Sequence, residues 1–215
     1  MIRNEIENMS DFDINRFCID YPNQLGHLQL SEEVLYDSCK IRKLEEILPC
    51  IVSEGHRVLI FSQWTRILDI LEVLMESLSL SFLRLDGSTP VKERQDMIDT
   101  FNSEDIPIFL LATKAGGLGI NLTSADTVIL HDVDFNPESD RQAEDRCHRI
   151  GQTRPVTIYR LITKDTVDES IYELAERKKK LSSAVLSDEK EKDNKIDIKK
   201  ILHNALELSK NQSIR

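Results

Sequence analysis

A chain of 215 residues, 40% hydrophobic and 31% charged, carries enough apolar material for one well-buried domain with a small appendage. Its formal net charge of −10 excludes a simple basic nucleic-acid binder held by its overall field, although a local groove of backbone amides and a few Lys or Arg side chains can still hold phosphates. No run of about twenty apolar residues offers a membrane span, and the polar, acidic start has no secretory-signal pattern. The four scattered cysteines form no Cys-x-x-Cys pair, which points to a reducing compartment and free, mostly buried thiols.

Residues 11–37 are irregular in pattern and read as a docking strap, so 1–37 stands apart from the rest of the chain. The stretch 40–53 places Ile41, Leu44, Ile47, Leu48 and Ile51 on one side of an amphipathic helix. From Arg57 onward, short apolar runs alternate with helix-length segments. RVLIF (57–61), FLRL (82–85), PIFLL (107–111), TVILH (127–131) and VTIYRL (156–161) are bounded by turn residues, the pattern of strands buried on both faces. Between them, 64–78 carries Ile67, Leu68, Leu71, Leu74, Met75 and Leu78 in one stripe. Thr89-Pro90 opens a helix over 90–101 with Thr89 as its cap, and Asn136-Pro137 opens another that the pattern carries to about Ile150. This repetition predicts right-handed crossovers and an α/β fold: a central, mostly parallel sheet flanked by helices. Beyond the last strand, 165–181 aligns Val167, Ile171, Leu174 and Ala175 on a helical extension. Residues 182–195 are charged and aperiodic like a linker, and 196–208 reads as a short last helix. The domain proper is therefore 38–181, with 182–215 appended.

The most informative string is DRQAEDRCHRIGQ (140–152). On a helix reaching Ile150, Gln142, Arg146 and Arg149 share one face, while Arg141 and Asp145 pair on another. Two guanidinium groups one turn apart form a fork suited to phosphate oxygens, because Arg stays charged and donates in a planar geometry. Facing a nucleotide, such a pair stabilises charge on the transferring phosphoryl group. Two arginines alone would read as a solvated helix face; the particularity of the whole string carries the functional reading. The string LLATKAGGLGINL (110–122) runs from a strand end into a glycine-rich turn. Amides at Gly116, Gly117 and Gly119 are able to cradle phosphates, although a tight strand-to-helix connection looks the same. Neither G-x-x-x-x-G-K-[ST] nor G-x-G-x-x-G occurs. His131-Asp132-Val133-Asp134 reads as a turn after a strand, since no third metal ligand is in register. Cys147 and His148 point apart on a helix and do not make a nucleophile–base pair. Trp64 reads as packing at a helix start, and the 178–180 lysine run as a solvated helix face that can also touch DNA.

In that order, TKAGGLGINL, HDVDFNP and QAEDRCHRIGQ resemble the last motifs of the Swi/Snf-type ATPases, a branch of the superfamily-two helicases. LIFSQWTRILDILE (59–72) and LRLDGSTP (83–90) resemble earlier motifs of the same lobe. The likeness covers roughly residues 30–181, and MSDFDINRFCIDYP (9–22) with AEDRCHRIGQ is most similar to the SMARCAD-type remodellers. The resemblance implies the second, RecA-like lobe of an ATP-dependent double-stranded-DNA translocase that works on nucleosomes in the nucleus. In such motors the first lobe carries the P-loop lysine and the acidic box that holds Mg2+, ATP sits between the lobes, and the second lobe supplies arginine fingers. Those would be Arg146 and Arg149, with Gln142, Gly119 and Asn121 on the ATP side. DNA contacts would fall on Gln63, Gly87, Thr113, Lys114, Gly116, Gly117 and Phe135. Phe135 stands where many members have Trp. It can wedge into a DNA groove without the indole donor, or it can be a core aromatic, and the sequence leaves both open. The expected partners are a first motor lobe, duplex DNA and the nucleosome, with no membrane. The expected ligands are ATP and Mg2+, both held mainly by the first lobe, so the chain alone is expected to be inactive and to hold no metal. A non-catalytic lobe that binds DNA or a partner is the alternative, and an RNA helicase fits the AGGLGINL and RIGQ strings less well.

Overall fold

The computed structural model describes residues 9–31, 34, 37–114, 120–147 and 152–186, with 181–186 described by backbone alone. The chain divides into two compact units, Met1–Arg42 and Lys43–Arg215. In the first, the stretch that reads as an irregular strap contains a capped helix, α1 (Asp11–Asp20). Ser10 Oγ accepts the Asp13 amide at 3.2 Å, and the Asp13 carboxylate accepts the Ser10 amide at 3.1 Å, a reciprocal capping box. A short α2 (Pro22–Leu25) and a 3-10 turn (Gly26–Leu28) come next. The buried Asn15 side chain then accepts the Leu30 amide at 2.6 Å and folds the segment back on α1. Helix α3 (Cys39–Ser53) buries Ile41, Leu44, Leu48 and Ile51, as its stripe predicts.

The second unit is built on a parallel sheet of five strands: β1 (Val58–Ser62), β2 (Phe82–Leu85), β3 (Ile108–Ala112), β4 (Thr127–Leu130) and β5 (Thr157–Arg160), in the order β2-β3-β1-β4-β5. In register, Val58 lies between Ile108 and Thr127. Every residue of β1, β3 and β4 is buried, while the edge strands β2 and β5 are only partly so. Unbroken apolar runs thus mark the centre of the sheet, each fully buried Leu, Ile or Phe contributing roughly 1.5–3 kcal/mol. Strand β1 leads to β2 through α4 (Thr65–Ser77), and β2 to β3 through α5 (Val91–Ser103). These connections cross the sheet in opposite directions, so right-handed crossovers put α4 and α5 on opposite faces. Thr89 does not cap α5: Pro90 takes the N-cap position, and Thr89 Oγ1 instead accepts the Asp86 amide at 3.1 Å.

Helix α6 (Pro137–Glu144) starts where the Asn-Pro pair predicts, with Asn136 Oδ1 accepting the Glu138 amide at 3.2 Å. It does not continue to Ile150. Residues 145–147 form a turn whose Arg146 carbonyl accepts the Leu122 amide at 3.3 Å, and both Arg146 and Cys147 are buried. Tertiary contacts there outrank the helical period. Helix α7 (Val167–Leu186), which packs against α6, runs beyond 181 because no Gly or Pro stops it. At the amino edge of the sheet Asp126 is buried, meeting His56 Nδ1 (2.9 Å), the Arg57 amide (3.3 Å) and Arg154 Nη1 (3.2 Å). Cys18 and Cys147 are buried and Cys39 and Cys50 exposed, so half of the thiols rather than most are inside. Among the described residues no helix is long and apolar enough to cross a membrane.

Candidate functional site

In an open parallel sheet, ligands bind beyond the carboxyl ends of the strands, where the connections from neighbouring strands diverge. Here the connections leaving the adjacent strands β1 and β4 run to opposite sides, so the topology predicts the crevice at the ends of these two strands, beside the buried Ser62 and His131. Asp132 organises it. One carboxylate oxygen accepts Ser62 Oγ at 2.6 Å and the Gln63 amide at 2.7 Å, and the other meets His131 Nδ1 at 2.8 Å. Gln63 Nε2 donates to Val133 O at 3.1 Å, and the Thr113 amide to Ser62 O at 2.9 Å. The loops after β1, β3 and β4 thereby become one surface. Burial pushes the Asp132 carboxyl up, but the hydrogen bonds from His131, Ser62 and the Gln63 amide outweigh it and hold the group below the usual carboxylate range. The sequence gives no sign of this role for Asp132, because Ser62 and Gln63 lie 70 and 69 residues away from it. Among the described residues, no group of three or more His, Cys, Asp or Glu is placed to hold a metal ion.

Gly87 lies at the same edge, in the turn after β2. Asp86 Oδ1 accepts the Ser88 amide (2.8 Å) and hydroxyl (2.6 Å), while Arg84 pairs with Asp86 (2.8 Å), Asp69 (2.6 Å) and Glu72 (2.7 Å). Gly87 is exposed, and a methyl group there would meet nothing within 4 Å. The fold leaves it open to close approach. Lys114 is exposed beyond β3. Two aromatics depart from expectation. Trp64 is 65% exposed, so it is not a packing residue, and Phe135 is 44% exposed, which removes the core alternative. The Phe135 loop is held from both sides. Lys178 Nζ, from the run that reads as a solvated face, donates to Phe135 O at 3.0 Å, and the Asp134 amide donates to Asp140 Oδ1 at 3.3 Å.

Burial drives the Asp140 carboxyl up to about 6, with the charges of Asp134 and Glu144 adding to the effect against the Asp134 amide and Arg160. A raised folded value means that the protonated form contributes stability fully below the unfolded value near ~4, and that this contribution is lost as pH rises through about 6. Asp140→Asn, neutral throughout, is therefore expected to raise the melting temperature at pH 7–8 and to change it little near pH ~4. Melting curves across that range check this; equal stabilisation at both ends would mean that the buried charge is not the cause.

On the expected nucleotide side, Gln142 is exposed on α6, but Arg146 is only 6% exposed and lies in a turn after the helix, so the two do not share a helix face. The Leu122–Arg146 backbone bond places exposed Asn121 beside that turn. Gly116, Gly117, Gly119 and Arg149 lie outside the described residues. Gln152, to which the sequence pattern assigns no role, ties these segments together. Its Nε2 donates to Thr123 O (3.2 Å) and Ala125 O (2.7 Å), and its Oε1 accepts the Arg154 amide (2.9 Å). Burial first, then the charge of Asp126, raises the Cys147 thiol to about 12, which leaves it inert as a nucleophile. A cavity of about 530 Å³ at the opposite, amino edge is lined by His56, Arg57, Gln152 and Arg154 and by none of the expected ATP or DNA residues.

The pattern of the helicase conserved C-terminal domain matches residues 39–151. Protein CHROMATIN REMODELING 19 of Arabidopsis thaliana is 56% identical over 184 residues, covering 85% of this chain and 24% of its own. ATP-dependent helicase FUN30 of Saccharomyces cerevisiae is 48% identical over 194 residues, covering 89% of this chain and 17% of its own. The chain thus spans a quarter or less of the length of these curated relatives. Among solved structures, the C-terminal part of the Fun30 ATPase domain aligns over 100% of this chain and 66% of its own, with a TM-score of 0.80 and 41% identity. The expected fold, a parallel sheet flanked by helices in a RecA-like lobe, is the one shared with that structure.

Proposed function

The chain belongs to the helicase conserved C-terminal domain family, and from that membership we propose that it is the second motor lobe of an ATP-dependent double-stranded-DNA translocase that remodels nucleosomes in the nucleus. One observation carries the reading: Gln63, Gly87, Thr113, Lys114 and Phe135 come from four separate loops and gather at the carboxyl edge of one sheet. A surface of backbone amides, one lysine and an exposed aromatic suits a phosphate backbone on an otherwise acidic protein. Gly116 and Gly117, which lie outside the described residues, are assigned to the same DNA-contact role by the family motif alone. Residues 1–37 serve as a strap from the region between the lobes, 38–181 as the lobe, and 182–215 as a charged tail.

ATP is bound by a first lobe and completed here by Arg146 and Arg149, with Gln142, Gly119 and Asn121 beside it. Guanidinium groups stabilise the charge on the transferring phosphoryl group. Closure on ATP and opening after hydrolysis shift each lobe's grip along one DNA strand. The accompanying Mg2+ belongs to the first lobe. The described residues here form no cluster that fits it, so no step of this lobe runs through the metal.

Titration of labelled duplexes of unrelated sequence tests the reading. The expected outcome is weak, sequence-indifferent binding that falls steeply with salt, each phosphate contact contributing roughly −0.9 to the slope of log affinity against log salt. Phe135→Ala should weaken binding without lowering the melting temperature, since the ring is exposed. Affinity unchanged by salt, or a marked preference for one sequence, would overturn the assignment.

A further inference from the structure

The Trp64 side chain takes no part in the hydrogen bonds that tie the crevice together. Its indole is 65% exposed at the carboxyl edge, next to Gln63, although a tryptophan that takes no part in binding normally buries most of its surface. The exposure does not come from a loose loop. The Trp64 amide donates to Ser62 Oγ at 3.1 Å, Ser62 is locked to Asp132 at 2.6 Å, and Trp64 O accepts the Ile67 amide at 3.1 Å. The ring therefore stands on a rigid post. Beside it is a hollow of about 360 Å³ lined by Trp64, Thr65, Arg66 and Ile67. Cations and carboxylates are interleaved at this edge, with the Arg84 guanidinium shared by Asp86, Asp69 and Glu72. The Asp132 carboxylate is engaged by Ser62, the Gln63 amide and His131, and Asp86 by Arg84 at 2.8 Å. Arg66 and Lys114 are exposed on the neighbouring segments.

We propose that Trp64 packs its indole against the sugar–phosphate edge of duplex DNA, with the ring N–H donating to a phosphate oxygen. The loops after β1 and β4 then each present one exposed aromatic, Trp64 and Phe135, to the same duplex. Indole is suited to this role because its flat apolar face covers deoxyribose while its single N–H, a donor only, matches an acceptor-rich backbone. The inference rests on the proposed DNA-facing role of the carboxyl edge.

Trp64 is the only tryptophan in the 215 residues, so intrinsic fluorescence of the whole chain reports this position alone. The experiment records tryptophan emission and the anisotropy of an end-labelled duplex in the same titration, at low salt and again at moderate salt. The expected result is quenching of the emission that tracks the anisotropy and weakens with it as salt rises. Trp64→Ala is expected to weaken binding about five- to a hundredfold and to leave the melting temperature in place. Trp64→Phe is expected to retain most of the affinity. Anisotropy that rises while emission stays constant, or Trp64→Ala binding as tightly as the parent chain, would overturn the role of Trp64 and leave the DNA-facing edge intact. No anisotropy change at any salt would overturn the DNA-facing edge itself, and this inference with it.

Discussion

In a complete two-lobe motor carrying this lobe, Arg149→Ala is expected to lower DNA-stimulated ATP turnover by about 10³–10⁵ while ATP binding changes little, if Arg149 is the finger we propose. That is the range over which an arginine finger acts, because its charge matters in the transition state and not in the ground state. Arg146→Ala behaves differently. Arg146 is 6% exposed in the turn after α6, so its removal also leaves a buried void and disturbs the fold. Melting temperature and turnover are expected to fall together there, whereas Arg149→Ala affects turnover alone. Steady-state phosphate release with nucleotide-binding and melting curves for both variants separates the cases. Turnover within tenfold of the parent motor for Arg149→Ala would exclude it as a finger.

Asp132→Ala carries the largest expected effect on stability. The carboxylate accepts bonds from Ser62 Oγ, the Gln63 amide and His131 Nδ1, and its loss strands those donors in a half-buried crevice. The expected cost is about 3–5 kcal/mol, or roughly 6–20 °C in melting temperature for a unit of this size. Duplex binding should collapse with it, since Gln63 and the Trp64 post lose their anchor. Asp132→Asn retains an acceptor and should recover part of the loss. The carboxyl is held below the usual range, so the stability it adds is fully present above the unfolded value near ~4 and disappears as pH falls through the lower folded value. Parent and variant melting curves should therefore converge at the acid end. A variant that melts with the parent at neutral pH would show that Asp132 organises nothing.

The central strands were legible in the sequence because full burial on both faces leaves an unbroken apolar run, as in Val58-Leu59-Ile60-Phe61, all of it inside. The start of α6 was legible because Asn136 and Pro137 act locally, one by capping the Glu138 amide and the other by its fixed φ. Its end was not. Nothing between Asp145 and Ile150 breaks a helix in the sequence, yet the Arg146 and Cys147 amides bond to Ala143 O and Glu144 O in tighter turns, and Arg146 O accepts the Leu122 amide from another segment. Those residues singled out by the resemblance for DNA contact that the structure describes lie at the carboxyl edge, but a large apolar ring at a helix start reads as core, and only the three-dimensional position shows Trp64 at 65% exposure. Asp132 was illegible for a related reason. Beside His131 it suggests a turn or a metal ligand, and its partners on the β1 loop are remote in sequence.

The order of the strands also bears on the birth of the protein. Strand β1 sits between β3 and β4, and no strand next to it in sequence is next to it in space. Ser62 and its partner Asp132 are separated by 70 residues. At a ribosomal speed of roughly 5–20 residues per second, the second neighbour of β1 is made on the order of 4–14 s after β1 itself. During that interval Val58–Ser62 is a short, uncharged, β-prone segment with bare edges, the kind that pairs with other chains. The segment that later anchors the crevice is thus one that a holding chaperone would shield while the rest of the domain is still being synthesised.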